Sequence, residues 1–187
     1  MSGRTFILSG MRKLIIACIV AAPSAALALD ARSKSPVLIG EIGLHCPYEV
    51  VSSTIAPDTE IGLVDQVAGE VRAFALTQVV PAIPGLAFGV ELRLEDGATL
   101  PGTVAVTTHP PMGEQGVTEQ FWPDDLSDQD WAANMYRFDF DYELLLGRWT
   151  MQLQRDGVTY SYVEFDVVPP PEGMTLESLC SGEDLLS

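Results

Sequence analysis

Positive charge is scarce in this sequence. It holds 10 Lys and Arg residues against 26 Asp and Glu residues, which gives a formal net charge of −16 at pH 7. A protein of this charge repels the phosphate backbone of nucleic acids, so we expect no DNA or RNA partner. The same balance disfavours anionic membrane surfaces and permits cations or basic partners. Colloidal solubility is the other explanation for the excess of acidic residues.

Histidine and cysteine are also rare, at two and three residues. Nucleophilic catalysis needs a base beside the nucleophile, and the chain has no Gly-x-Ser-x-Gly turn to present a serine to a histidine. The spacing of His45, Cys46 and His109 matches no zinc site. The sequence therefore predicts no enzyme, no catalytic residue, no metal site and no cofactor.

Acidic residues cluster between residues 124 and 130, and they raise calcium binding as an alternative. An EF-hand loop alternates its oxygen ligands and has glycine at its sixth position. Leu126 interrupts the alternation, and the segment lacks such a glycine. We expect either a solvated loop or a short turn that contains Trp131 and is capped by Asp128.

Long apolar runs are absent apart from one near the beginning. Residues 14–22 form this run, after Arg12 and Lys13 and before the small residues Ala26 and Ala28. This arrangement predicts a secretory signal peptide over residues 1–28. The run is shorter than the roughly 20 residues that cross a bilayer, so we expect no retained membrane anchor.

Cleavage of the signal peptide is predicted after Ala28, whichever of Met1 and Met11 starts the chain. A minority alternative is a lipoprotein, because Cys18 follows a lipobox-like Ile-Ile-Ala sequence. Removing residues 1–28 takes away three basic residues and no acid, which lowers the formal charge from −16 to −19. The sequence thus predicts a periplasmic or secreted protein.

Cleavage would leave an even pair of cysteines, Cys46 and Cys180. In an oxidising compartment such a pair most simply forms one disulfide bond. Two free thiols are the alternative. A bond between these positions would tie a C-terminal tail, residues 170–187, back to the beginning of the domain.

The dominant hydrophobic period in the remaining chain is two, which is typical of half-buried strands. Asp156-Gly157 marks a hairpin turn between two of these segments. Residues 66–80 are ambiguous between a strand and a strand preceded by a short helix. The alternating segments cover residues 37–42, 88–94, 103–107, 136–142, 149–154 and 159–167.

Short strands separated by Gly, Pro and Asp turns, without β-α-β alternation, predict an all-β fold. We expect an antiparallel immunoglobulin-like β-sandwich of about seven strands over residues 37–169. Residues 29–36 are expected to form a flexible leader. In the segment 136–142, Tyr136 and its alternate neighbours are expected to face the core. Asp139, Asp141 and Glu143 are expected to face solvent.

Several short motifs resemble those of a bacterial family. The motifs are Thr77-x-x-Val80-Pro81-Ala82-x-x-Gly85-x-x-Phe88-Gly89-Val90, His109-Pro110-Pro111-Met112, Gly147-Arg148-Trp149-Thr150 and Phe165-x-Val167-Val168-Pro169. Together they resemble the domain of unknown function family 3859 over residues 37–169. The resemblance implies an immunoglobulin-like, exported protein. It supplies no activity and no functional residue.

Aromatic residues offer the best candidates for binding. Trp149 is in phase with buried neighbours, so we expect it in the core, whereas other aromatic residues flank the acidic stretch 113–130. The predicted binding surface consists of His109, Met112, Phe121, Trp122 and Trp131. The alternative is that the aromatic residues anchor a long loop and that His109 bonds the backbone of its own loop.

We expect a non-enzymatic binding or accessory module that engages an unknown protein partner through a sheet edge or the region 109–131. A carrier of a small molecule or carbohydrate, held by the same region, is the alternative.

Overall fold

The computed structural model describes residues 29–67, 69 and 71–181. The predicted signal peptide, residues 1–28, lies outside these residues, so cleavage and export stay predictions. The described part contains a 3₁₀ turn, Asp141–Glu143, and one helix, α1 (Leu176–Ser181). Its strands are β1 (Ala31–Ser33), β2 (Val37–His45), β3 (Val50–Ile55), β4 (Leu63–Val67), β5 (Val79–Pro81), β6 (Ala87–Leu94), β7 (Val104–Met112), β8 (Val117–Pro123), β9 (Ala132–Arg137), β10 (Gly147–Arg155) and β11 (Val158–Val168).

The strands form two packed sheets and a separate hairpin. The larger sheet has the order β1-β11-β10-β7-β8, and the smaller sheet has the order β2-β6-β9. Strands β3 and β4 pair only with each other. All pairs are antiparallel except β5 with β11, which is parallel. The predicted antiparallel, immunoglobulin-like β-sandwich is therefore confirmed, with four more strands than expected.

Aromatic rings fill the space between the two sheets. Phe88 of β6 lies 5.6 Å from the ring of Trp149 on β10 and 5.0 Å from that of Phe165 on β11, measured between centroids. All three side chains are completely buried. The predicted core position of Trp149 is thus correct, and the alternation that predicted the strands reflects one face turned towards this core.

The predicted hairpin at Asp156-Gly157 is present between β10 and β11. Arg155 pairs directly with Val158, so the turn contains two residues. Asp156 and Gly157 both have positive φ angles, 48° and 73°. A turn with two positive φ angles matches the right-handed twist of the strands it joins, which explains the Asp-Gly sequence.

The predicted flexible leader over residues 29–36 is wrong for its central part. Ala31–Ser33 forms β1, which extends the larger sheet by pairing with β11. The guanidinium of Arg32 lies 4.0 Å from the centroid of the Tyr162 ring. All three residues of β1 are exposed, so this strand has no buried face and no hydrophobic alternation by which the sequence could reveal it.

The strand predicted over residues 136–142 is also wrong beyond Arg137, where β9 ends. The carboxylate of Glu143 accepts hydrogen bonds from the backbone N–H groups of Asp139 (2.6 Å) and Phe140 (2.9 Å). These bonds close the 3₁₀ turn. Phe140 and Tyr142 consequently lie on the surface, with stacked rings, and Glu143 is buried instead of solvated.

Two further segments differ from the expectation. The predicted loop 113–130 contains β8, which pairs with β7 across a turn in which Gly113 and Gly116 have positive φ angles. The ambiguous segment 66–80 is largely irregular in its described part. There, Ala75 forms an isolated bridge with Leu44, and only the short strand β5 follows.

The predicted disulfide bond joins Cys46, just after β2, to Cys180 in α1. It fixes the C-terminal segment to the sandwich, where Leu179 of α1 is buried in the core. Among the described residues, no helix has the length and apolar character needed to cross a membrane.

Candidate functional site

A cleft of about 540 Å³ opens at one side of the sandwich, where β8 and β9 are the outermost strands of their sheets. The hairpin β3–β4 lies across this side and forms the outer wall. We call this space the inter-sheet cleft. Its lining includes Thr54, Ile55, residues 64–67, Trp122, Pro123, Asp124, Trp131 and residues 132–135. Its volume is in the usual range for small-ligand sites.

Three polar contacts hold the hairpin against the sandwich. Asp65 of β4 forms an ion pair with Arg137 of β9 at 3.2 Å. The loop between β3 and β4 accepts a hydrogen bond from Phe121 N through Asp58 O, at 3.1 Å. Glu60 N of the same loop donates to the side-chain oxygen of Gln120 at 2.7 Å. The hairpin is thereby attached to both edge strands.

Trp122 and Trp131 lie on the inter-sheet cleft together, as their grouping in the sequence suggested. Trp122 is on β8, and Trp131 directly precedes β9. The ring of Trp131 lies against Gly40, where an added Cβ would come within 2.9 Å of the indole. Its other neighbour is Arg93, whose guanidinium lies 5.3 Å from the ring centroid. Trp131 is nevertheless 43% exposed, so much of its ring can contact a ligand.

Asn134 of β9 is the most unusual residue of the inter-sheet cleft. It is only 4% exposed, yet neither its side-chain oxygen nor its side-chain nitrogen has a hydrogen-bond partner in the described structure. A buried, unpaired amide costs about 1–3 kcal/mol. A ligand that both accepts and donates a hydrogen bond, as a peptide or hydroxyl group does, would remove this cost.

The ionisable groups on the cleft wall are acidic. Asp65, Glu91 and Asp124 contribute to its lining, and among the described lining residues there is no Lys, Arg or His. Burial, reinforced by the neighbouring charge of Asp125, raises the pKa of Asp124. The cleft therefore favours a neutral or cationic ligand over an anion.

His109 is buried in β7 and does not contribute to a surface. Its Nδ1 lies 2.8 Å from the carbonyl oxygen of Pro110, and its Nε2 lies 3.1 Å from the side-chain nitrogen of Gln120. A carbonyl only accepts, so Nδ1 carries the proton and Nε2 accepts a hydrogen bond from Gln120. The ring is thus neutral, and burial lowers its pKa. The expected bond to backbone is present, although the histidine lies in a strand rather than a loop.

A second small cavity of about 110 Å³ adjoins the cleft and ends at Tyr136 and Glu143. Tyr136 donates a hydrogen bond from its hydroxyl to Glu143 Oε1 at 2.9 Å. Burial raises the pKa of both groups, and the pKa of Tyr136 is raised further by the adjacent Glu143 charge. Because Glu143 also closes the 3₁₀ turn, its first role is structural.

The titration of His109 gives a testable pH dependence. Its folded pKa is lower than the unfolded value of 6.5, so the contribution of the neutral ring is complete above that pH and decreases as the pH falls towards the folded pKa. We expect His109→Gln to lose less stability than the native protein between about pH 7.5 and pH 5, in urea unfolding.

NMR titration of the two histidine rings checks this expectation directly, since His45 is also buried and its pKa is also lowered. In the His109→Gln variant the remaining resonance identifies His45. A His109 ring that titrates at or above pH 6.5 in the folded protein would contradict the prediction.

The predicted binding surface is brought together only in part. Met112 is completely buried and His109 is 5% exposed, so both are removed from the surface. Phe121 is exposed but lines a different hollow, which includes Met112 and Glu119. The alternation of β8 explains this difference, because Phe121 and Trp122 point to opposite faces of their sheet.

The acidic cluster at residues 124–130 holds backbone turns. Asp125 Oδ1 accepts a hydrogen bond from Gly102 N at 2.8 Å, and Asp128 Oδ2 accepts one from Gly97 N at 2.9 Å. Asp128 thus caps the turn after β6, not one that contains Trp131. Within residues 29–67, 69 and 71–181, no group of three or more His, Cys, Asp or Glu side chains is placed to hold a metal ion.

Sequence reasoning missed both Asn134 and the hairpin that covers it. All six residues of β3 are exposed, so the hydrophobic pattern that identifies strands is absent there. Asn134 looks like an ordinary polar residue of an amphipathic strand. The sequence feature that pointed to its burial is its spacing of two residues from Tyr136, because alternate residues of a strand share a face and Tyr136 was expected to face the core.

Comparison with known proteins finds a matching family profile and a similar solved structure. The profile of the family described as "Domain of unknown function (DUF3859)" matches residues 41–167. An immunoglobulin-like protein of Pseudomonas aeruginosa is similar in structure, with a TM-score of 0.48 and 19% sequence identity over 76% of this chain and 99% of that chain. No curated protein matches the sequence.

The family match covers most of the chain and includes strands of both sheets and the residues of the inter-sheet cleft. It confirms the resemblance seen in the His109-Pro110-Pro111-Met112 and Gly147-Arg148-Trp149-Thr150 motifs. The family's function is unknown, so it assigns no activity to the cleft. The chain belongs to the family of domains of unknown function DUF3859.

Proposed function

We propose that this protein is an exported, non-enzymatic binding module, periplasmic or secreted, that holds a segment of a protein partner in the inter-sheet cleft. The observation that carries the proposal is Asn134, a buried amide that lines the cleft and has no hydrogen-bond partner among the described residues. Such a group lowers stability, and binding is the function that compensates for it.

The surroundings of Asn134 support the same proposal. Trp122 and Trp131 provide large apolar surfaces at low cost in side-chain entropy, which is typical of protein-binding sites. Exposed apolar residues continue outside the cleft along the hairpin, including Val51, which is 58% exposed. A partner segment that continues beyond the cleft would cover this residue.

A carrier of a small molecule or carbohydrate is the second candidate. The cleft volume of about 540 Å³ favours it, since a sugar ring could stack on Trp122 while its hydroxyl groups pair with Asn134. Saturable thermal stabilisation by a defined oligosaccharide, without any peptide ligand, would support the carrier and contradict the protein-partner proposal.

The test uses the chain from Leu29 onward and a displayed library of random decapeptides. We expect the native protein to enrich peptides that the Trp122→Ala variant binds at least about tenfold more weakly. Phe121→Ala is the matched control, because this neighbouring aromatic residue lines another hollow and its loss should leave binding unchanged.

Asn134→Leu separates binding from folding. Leucine has a similar size and removes the unpaired amide, so we expect the free energy of unfolding to rise by about 1–3 kcal/mol while peptide affinity falls about tenfold or more. Unchanged affinity in this more stable variant would contradict the role of Asn134. Peptides that bind equally well to the Trp122→Ala variant would move the binding site away from the cleft.

A further inference from the structure

Strand β9 has one backbone edge that no other described strand pairs with, and this edge borders the inter-sheet cleft. Among the described strands, β9 is the last of its sheet and pairs only with β6. Phe138 N, just beyond the strand, donates to Leu86 O at 3.1 Å. This hydrogen bond shows which residues of β9 direct their backbone groups towards β6. Because antiparallel residues alternate in direction, Asn134 and Tyr136 point their backbone groups towards β6.

The backbone groups of Ala133, Met135 and Arg137 therefore point away from β6. In the part of the chain that the structure describes, the backbone N–H and C=O groups of these three residues make no hydrogen bond. They repeat along about 14 Å of strand, which is the length that pairs with about five residues of an extended chain. An edge of this kind is a template for an added strand.

The charge around this edge indicates the chemistry of the added strand. Asp65, Glu91 and Asp124 lie on the cleft lining, and the described lining residues include no Lys, Arg or His. Asp65 is already paired with Arg137 within the protein, whereas Glu91 and Asp124 add further acidic groups to the lining. The formal charge of −16 adds a long-range attraction for cations.

We infer that the partner segment binds as an additional β-strand on β9, through the outward backbone groups of Ala133, Met135 and Arg137, and that it carries at least one Lys or Arg residue. This inference rests on the proposed function and adds the mode of binding and the charge of the partner. Backbone pairing supplies affinity, Trp122 and Trp131 contact alternate side chains, and the acidic lining selects the basic residue.

Amide hydrogen exchange tests the mode of binding. The probe is a decapeptide enriched from the random library on the native protein, added at saturation to the chain from Leu29 onward. We expect exchange at Ala133, Met135 and Arg137 to slow by about tenfold or more. The amides of Asn134 and Tyr136 already donate to β6 and serve as internal controls.

N-methylation of the peptide gives an independent result. Methylation at alternate positions should abolish binding, whereas methylation at the positions between them should have little effect, since only every second amide of a strand faces its neighbour. Replacing the basic residue of the peptide with Gln should weaken binding about tenfold, and the native affinity should decrease with salt.

The possible failures are distinguishable. Peptides that bind in a Trp122-dependent way, without protecting the three outward amides, would overturn strand addition and leave the proposed function intact. Enriched peptides that are neutral or acidic would overturn the charge of the partner alone. If the library yields no ligand, both the proposed function and this inference fail.

Discussion

Replacing Cys46 and Cys180 together with alanine should lower the free energy of unfolding by about 4–5 kcal/mol. The bond joins residues separated by 134 positions, and closing so long a loop removes much of the conformational entropy of the unfolded chain. Urea unfolding at equilibrium measures the change as a lower midpoint. This is a large share of the 5–15 kcal/mol that typically stabilises a domain.

A reducing agent provides the control for this prediction. It should lower the unfolding midpoint of the native protein to that of the double alanine variant and should leave the variant unchanged. Equal midpoints for the oxidised native protein and the variant would show that the bond contributes nothing to stability. Such a result would also remove the main reason for expecting α1 to stay attached to the sandwich.

Trp149→Ala should destabilise the fold by about 3–5 kcal/mol. The side chain is completely buried and packs against the opposite sheet, with ring centroids 5.6 Å from Phe88 and 4.9 Å from Tyr136. Its indole N–H also donates to Leu145 O at 2.9 Å. Alanine would leave a cavity between the sheets and an unpaired carbonyl.

Trp149→Phe is the matched variant, because it keeps an aromatic ring and loses the hydrogen bond and part of the volume. Its cost should be clearly smaller than that of Trp149→Ala in the same urea experiment. A loss below about 1 kcal/mol for Trp149→Ala would contradict the central position of this residue in the core. In that case the neighbouring rings would have to collapse into the space.

The strands that the sequence predicted correctly are those with one buried and one exposed face. β6, β10 and β11 alternate because every second side chain enters the core, as in the buried Val163, Phe165 and Val167. The hairpin turn at Asp156-Gly157 was also predicted correctly, since the backbone angles of a two-residue turn depend on the residues in it. In these segments the fold requires a local pattern of residues, and that pattern can be recognised in the sequence.

The prediction failed where a specific hydrogen bond or a strand partner, rather than hydrophobic alternation, decides the local conformation. The alternation from Tyr136 to Tyr142 continues past Arg137, but the carboxylate of Glu143 captures two backbone N–H groups and turns the chain. β1 and β3 are fully exposed and exist as strands only through their pairing partners. Neither kind of interaction leaves a periodic trace in the sequence.

The candidate site was likewise only partly predictable from the sequence. Trp122 and Trp131 were grouped correctly from the sequence, whereas Met112 and His109 proved to be buried. In the His-Pro-Pro-Met motif, His109 and Met112 fill the interior, with His109 4.9 Å from the ring of Trp149, whereas Pro111 is exposed. A distinctive motif can thus reflect packing as readily as binding.

By itself the sequence determined the all-β immunoglobulin-like class, the family, the cysteine pair and the acidic character of this protein. These properties follow from composition, period-two alternation and short motifs, all of which are local. Only the tertiary structure decided that a hairpin covers an open side of the sandwich and that the buried Asn134 amide has no hydrogen-bond partner within the part of the chain it describes. Both depend on segments that are distant in the sequence and meet in the fold. Packing decides which polar groups find a hydrogen-bond partner there, and no pattern along the chain records the outcome.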